Sequence, residues 1–176
     1  MGKKISLIIV FFVVGMSFMP MAGFAQAQEQ EKSQIFNSSG LPIPRFITLR
    51  SDKVFVRTGP ALRYPIKWIF VRDGMPVEII QEFDTWRKIR DIKGDEGWVH
   101  QSLLSGKRNA VVTAEKGTVV LRKPASDAKP VALLEQNVQV SLLQCHQDWC
   151  RVEAGGFSGW TQRNSLYGVY ADEELD

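Results

Sequence analysis

Histidine and cysteine are both scarce, with 2 of each in 176 residues. So few imidazoles and thiols leave little from which to build a nucleophile–base pair or a metal cage. His146 does neighbour Cys145, but adjacent residues at the end of a strand point apart, so the pair cannot act together as nucleophile and base. Cys145, His146, Asp148 and Cys150 match no common zinc spacing and have no second ligand pair. His100 follows a Gly-Trp-Val run and reads as a surface or internally satisfied histidine. G-x-S-x-G, H-E-x-x-H and Gly-rich phosphate loops are absent. No long amphipathic helical period occurs; residues 101–104 and 164–166 each suffice for one 3₁₀ turn. Helical bundles are thereby excluded, and neither an enzyme, a metal site nor a cofactor is expected.

Long apolar runs are absent but for one. Met1-Gly2-Lys3-Lys4 is a positive lead, residues 5–18 are apolar, and Ala25-Gln26-Ala27 is an A-x-A pattern. That is the layout of a secretory signal peptide whose removal leaves a chain starting at Gln28. The alternative is an uncleaved inner-membrane anchor, since residues 5–25 nearly reach spanning length. No cysteine near the cleavage region could accept a lipid. The expectation is export to the periplasm, with residues 1–27 as signal and the Gln-, Glu- and Ser-rich residues 28–44 as a flexible linker.

A strong charge bias is missing as well. Without Lys3 and Lys4 the chain has 20 basic residues against 19 acidic ones. The distribution is uneven: residues 45–108 hold 13 basic and 8 acidic side chains. Asp172, Glu173, Glu174 and Asp176 form an acidic tail over residues 171–176. A basic first half admits an anionic partner such as wall polymer or lipid headgroups. A solvated mixed surface is the preferred reading, and export argues against nucleic acid.

What the chain does have is a repeat. Trp86-Arg87-Lys88-Ile89 and Gly97-Trp98-Val99 return as Trp149-Cys150-Arg151-Val152 and Gly159-Trp160-Thr161. Upstream, Val54-Phe55-Val56-Arg57 is matched to Val119-Val120-Leu121-Arg122, and Val77-Glu78-Ile79 to Val138-Gln139-Val140. Short strands are expected at residues 46–49, 53–57, 68–72, 76–82, 86–91 and 96–100. A second set is expected at 110–114, 118–122, 130–134, 137–143, 150–154 and 159–161. Turn signals separate them, which indicates small barrels or sandwiches. Cys145 and Cys150 flank a hairpin loop where cross-strand pairs reach bridging distance, so an oxidising compartment makes them a structural disulfide. Phe83 and Arg87 stand near the matching places of the first repeat. Trp98 and Trp160, each after a glycine, read as core rings.

These elements resemble the bacterial SH3 domain family. The motifs concerned are Val56-Arg57-Thr58-Gly59-Pro60, Gly74-Met75-Pro76-Val77-Glu78-Ile79, the W-x-x-V strand and the G-W-V strand, with a second set in the second half. More narrowly, the chain is similar to exported two-repeat proteins of this family common in alphaproteobacteria. Those often pair cysteines around a D-W-C-R-V stretch and end in a tail like Gly168-Val169-Tyr170. The resemblance implies an all-β chain of two tandem five-stranded barrels, at residues 45–108 and 109–170. It also implies a protein that binds cell-wall peptides or helps place a hydrolase on peptidoglycan. The chain departs from the pattern in two places. Phe55 stands where asparagine is frequent, and the second repeat lacks the Gly-Pro turn, so its first long loop is expected to differ.

Binding is therefore the expected role. Arg63, Tyr64, Trp68 and Trp86 are the candidates for a groove that takes an extended peptide, with Arg63 pairing a carboxylate. The competing reading has Trp68 and Trp86 sealing the barrel or the contact between repeats. Partners are a cell-wall peptide or an envelope protein, the latter through an adaptor role that regulates a wall hydrolase.

Overall fold

Val54, Val56, Val77, Ile89 and Val99 are fully buried, and residues between them are half-exposed or pack on the other sheet face. This period-two pattern drives the chain into strands whose inner faces meet in one apolar core. The computed structural model describes residues 37–176. The expected signal, and the linker as far as residue 36, lie outside the described residues.

The first repeat is built from β1 (Arg45–Leu49), β2 (Val54–Arg57), β3 (Ile66–Phe70), β4 (Pro76–Phe83), β5 (Trp86–Arg90), β6 (Glu96–His100) and β7 (Leu104–Ser105). The second is built from β8 (Asn109–Val112), β9 (Thr118–Leu121), β10 (Pro130–Leu134), β11 (Gln139–His146), β12 (Trp149–Ala154), β13 (Phe157–Gln162) and β14 (Leu166–Tyr167). A 3₁₀ turn, Gln101–Leu103 or Arg163–Ser165, precedes the last strand of each. The first sheet runs β3-β2-β6-β5-β4-β1-β7 and the second runs β10-β9-β13-β12-β11-β8-β14, the same order copied. All the pairings are antiparallel. Each sheet has seven strands: the six short runs expected in each repeat, and a two-residue strand after the 3₁₀ turn, β7 in the first and β14 in the second.

Register corrects the sequence alignment of the two halves. Arg57 lies opposite Trp98, and Leu121 lies opposite Trp160, so Arg57 corresponds to Leu121 and not to Arg122. A one-residue slip exchanges the two faces of a strand. Val54 and Val56 thus match Thr118 and Val120, all four buried. In the next hairpin, matching bulges put Ile79 against Leu142 and Glu82–Arg87 against Cys145–Cys150. The counterpart of Cys145 is therefore Glu82, not Phe83. β3 also begins two residues before its expected start, because a bulge after Val56 pairs Arg57 with Ile66.

The first long loops are alike, contrary to expectation. Thr58 N–H donates to Pro65 O, Ala61 N–H to Gly59 O and Tyr64 N–H to Ala61 O. Arg122, Ala125 and Ala128 repeat these bonds to Lys129, Lys123 and Ala125. The loop does not need Gly59 for its backbone path. Gly59 is required because a Cβ there would lie 2.6 Å from the ring of Tyr64, and where the second repeat has Ala128 a lysine fits.

The flanking segments are docked. Glu174 and Asp176 reach His146, and Leu175 N–H and C=O bond Cys145 across the edge of β11. The acidic tail thus adds one isolated antiparallel bridge, with Leu175 packed on the second core. On the first repeat Ser39 N–H donates to Glu82 Oε2 at 2.6 Å, so the end of the linker is tied at the matching hairpin. Between the repeats, Phe46 packs against Tyr167 and Tyr170 with ring centroids 5.2 and 4.7 Å away. Tyr170 donates its hydroxyl to Glu78 Oε1 at 2.7 Å, and Asn109 Nδ2 donates to Gly74 O at 2.9 Å.

Candidate functional site

The β4–β5 hairpin turns within two residues, Asp84 and Thr85, with Asp84 at φ 50°. This tight neck brings Glu82 and Arg87 opposite one another inside the fold. Glu82 has no exposed surface, and it meets Arg45 Nη2 at 2.5 Å and Arg87 Nε at 3.2 Å. Burial by itself pushes the Glu82 carboxyl up. The Arg45 bond, the Ser39 N–H and hydroxyl, and the Arg87 charge outweigh burial and leave the carboxyl below the ordinary carboxylate range. A buried ion pair holds only when its remaining donors are also met. Arg87 meets that condition, donating to Asp84 O at 2.7 Å, Trp86 O at 3.0 Å and Gln101 Oε1 at 2.7 Å.

The last of these bonds fixes the start of the 3₁₀ turn, and the turn forms one wall of a cavity of about 660 Å³. Arg63, Leu62 and Ala61 from the first loop face Trp86, His100 and Leu103 across it. Trp86 is 8% exposed and packs edge to face on His100, at 5.5 Å between centroids. His100 Nδ1 lies 2.8 Å from Ser102 Oγ and 3.3 Å from Ser102 N, which ties the ring to the 3₁₀ turn. Arg57 Nη1 donates to Leu62 O at 3.0 Å and Tyr64 O at 2.8 Å and holds the loop in place. The result is an apolar floor with a guanidinium, Arg63, and an imidazole, His100, among its lining groups. Such a site suits a short extended chain ending in a carboxylate.

The four groove candidates do not share one site. Arg63 and Trp86 line the cavity. Tyr64 braces the loop, its ring on Gly59 and the Arg63 guanidinium 5.2 Å from its centroid. Trp68 lies on the inward face of β3, against the first core and edge to face with Phe70. It borders a separate cavity of about 480 Å³ beside Lys67 and Ile92.

Of the two tryptophans expected in the cores, Trp98 is buried but outside the first apolar cluster, and Trp160 is half-buried. Gly97 and Val99 face inward, so Trp98 between them points to the opposite face of β6, where it is 9% exposed. Trp160 is half-buried between inward-facing Gly159 and Thr161. A Cβ at Gly97 would lie 2.4 Å from Val56 Cγ1 and 3.2 Å from the Trp68 ring, so the glycine makes room for those two side chains.

His100 and Glu82 were missed as parts of this region. Position five residues before Arg87, matching the Cys145–Cys150 spacing, would have marked Glu82. No sequence signal marks His100. Cys145 and Cys150 are disulfide-bonded and fully buried, with Cα atoms 4.1 Å apart. In the second repeat Asp127 and Gln162 replace Arg63 and His100, so the counterpart rim has an acid and an amide. No group of three or more His, Cys, Asp or Glu suited to a metal ion occurs among the described residues.

A family model described as bacterial SH3 domain matches residues 50–106 and again residues 114–168. No curated protein matches the chain. Among solved structures, the chain is similar to NlpC2 from Trichomonas vaginalis, with 14% identity and a TM-score of 0.33 over 73% of this chain and 49% of that one. It is also similar to an NlpC/P60 family protein from Bacillus cereus, with 13% identity and a TM-score of 0.32 over 69% and 55%. An NlpC/P60 endopeptidase from Photobacterium damselae subsp. piscicida shows 15% identity and a TM-score of 0.30 over 82% and 38%. The chain spans about half the length of these proteins or less. Two matched segments, the duplicated strand order and the repeated W-x-x-V and G-W motifs agree: the chain belongs to the bacterial SH3 domain family and carries two such domains in tandem.

Proposed function

We propose that this protein is an exported, non-catalytic binding module whose first repeat recognises a short peptide bearing a carboxylate, of the kind found in cell-wall stem peptides. The observation that carries the reading is the cavity where Arg63 and His100 stand over the floor made by Trp86 and Leu103. A buried aromatic floor supplies area at little entropic cost, and an arginine fork supplies direction. The signal-peptide pattern over residues 1–27 supports export. Family membership supports a wall ligand, since the resemblance implies that characterised members bind cell-wall peptides.

Residues 28–176 contain every described strand, both cores and the disulfide, so this fragment keeps the contacts that hold both repeats together. Incubated with isolated sacculi at low ionic strength, it should sediment with them. Arg63→Ala should lower the bound fraction about tenfold, as loss of one charge-assisted hydrogen bond does. The thermal midpoint should hardly change, because Arg63 is exposed. If the fragment stays in the supernatant at low salt, the wall is not its ligand.

A further inference from the structure

We propose that the outer face of the β2–β3 ribbon in the first repeat docks on an anionic lipid bilayer. Residues 53–72 contain five cations, Lys53, Arg57, Arg63, Lys67 and Arg72, and no acidic residue. Asp52 and Asp73 lie just outside this stretch at its two ends. The matching residues 117–136 of the second repeat hold Arg122, Lys123 and Lys129 against Asp127 and Glu135. Duplication supplied the same ribbon twice, and only the first copy is uniformly basic.

The same face exposes large apolar side chains. Val71 is 82% exposed, Ile66 45% and Ile69 42%. Phe55 lies across the ladder from Ile69 and extends the patch onto β2. Lys53 Nζ lies over the Phe55 ring on this face, 5.4 Å from its centroid, whereas Lys67 Nζ sits 5.1 Å from the inward-facing Trp68 and donates to Glu96 O at 2.9 Å. Aliphatic stems along an apolar surface with charges at its rim are what a headgroup–acyl boundary accepts. β3 ends its sheet, and among the described residues no strand pairs with its outer edge.

Charge and exposure together select the occupant. A soluble polyanion satisfies the cations but gains nothing from contact with Val71, Ile69 or Ile66. A second copy laid edge to edge on β3 would bring lysines and arginines of like sign together. An anionic bilayer satisfies both demands. The proposal does not depend on the peptide reading of the neighbouring cavity, and a failure on sacculi leaves it standing.

The test is co-sedimentation of residues 28–176 with vesicles containing phosphatidylglycerol, compared with vesicles of phosphatidylcholine alone. Binding is expected to the first and not to the second, and to fall as salt rises. Ile69→Glu with Val71→Glu should abolish it, and both sites are exposed enough to leave the thermal midpoint near wild type. Lys53→Gln with Arg72→Gln should lower partitioning about 25-fold, from about fivefold per cation near an anionic surface. Leu133→Glu, at the counterpart of Ile69, should leave binding unchanged. Equal partitioning of wild type and the Ile69/Val71 variant would overturn the proposal, as would wild-type protein that binds neither kind of vesicle. Retention on a soluble polyanion without vesicle binding would replace the bilayer with a polymer. A dimer in solution that Ile69→Glu dissolves would replace it with a second copy.

Discussion

At one cross-strand position the two repeats use different chemistry. Where β4 faces β5 the first repeat holds Glu82 and Arg87, and where β11 faces β12 the second holds the Cys145–Cys150 disulfide. Both pairs are buried beneath a two-residue turn, and both are met from outside by a flanking segment, Ser39 on one and Leu175 on the other. The hairpin neck thus needs a cross-link, and either a covalent bond or a fully bonded ion pair will serve. The two solutions differ in their vulnerabilities. A disulfide is opened by reductant and indifferent to acid, whereas a carboxylate–guanidinium pair is the reverse. A second contrast lies in the cores. Val54, Val99 and Leu103 of the first repeat become Thr118, Thr161 and Ser165 in the second. There Thr118 Oγ1 lies 2.7 Å from Thr161 Oγ1 and 3.1 Å from Ser165 Oγ, which donates to Gln162 O at 2.6 Å.

The largest effect is expected at Glu82. Replacing it with alanine leaves Arg45 and Arg87 without their counter-charge and should cost about 3 to 5 kcal/mol in denaturant unfolding. The folded carboxyl lies below its ordinary value of 4.5, so its stabilising effect is complete above that pH. It is lost as pH falls through the depressed value. The stability gap between wild type and Glu82→Gln should therefore close in acid; a gap that persists would show that the pair's charge is not what matters. Opening the disulfide with Cys145→Ser and Cys150→Ser should cost about 2 kcal/mol on the chain-entropy model. The comparison sharpens if Glu82→Cys with Arg87→Cys oxidises to a bridge, detected by mass spectrometry. Two free thiols would mean that the necks are not equivalent. Gly59→Ala should cost about 1 to 2 kcal/mol by displacing the Tyr64 ring, with most of the loss recovered when Tyr64→Ala is added. If the double variant is no better, the glycine serves something other than that ring. Thr118→Val should cost about 1 kcal/mol, even though it installs the first repeat's residue, because Thr161 and Ser165 lose a partner. A neutral result would make the hydroxyl cluster incidental.

Strand order, duplication and the disulfide were legible because each leaves a local mark: alternation, a repeated tryptophan motif, and two cysteines about a turn. Register was not legible. Val54-Phe55-Val56-Arg57 can be laid on residues 118–121 or 119–122 with comparable apolar matches, and only the ladder with Trp98 and Trp160 decides. That slip hid the correspondence of Arg57 with Leu121, and with it the reason the first loop is clamped in one repeat only. The tryptophans after Gly97 and Gly159 misled for a related reason. A large ring beside a glycine reads as filling the space it leaves, yet Trp68 and Val56 occupy the space above Gly97. His100 carried no signal because its place at the cavity depends on the first loop folding over β5 and the 3₁₀ turn, a contact between residues far apart in the chain.

The seam between the repeats has a consequence for array growth. Phe46 and Glu78 of the first repeat receive Tyr167 and Tyr170 of the second, a head-to-tail contact of the kind that could in principle propagate. The positions that would have to receive a further copy, at the counterparts of Phe46 and Glu78, are Asn109 and Ser141. Neither offers a ring or a carboxylate, and Asn109 is already bonded to Gly74. The seam therefore cannot be reused, and stacking by this geometry stops at a pair.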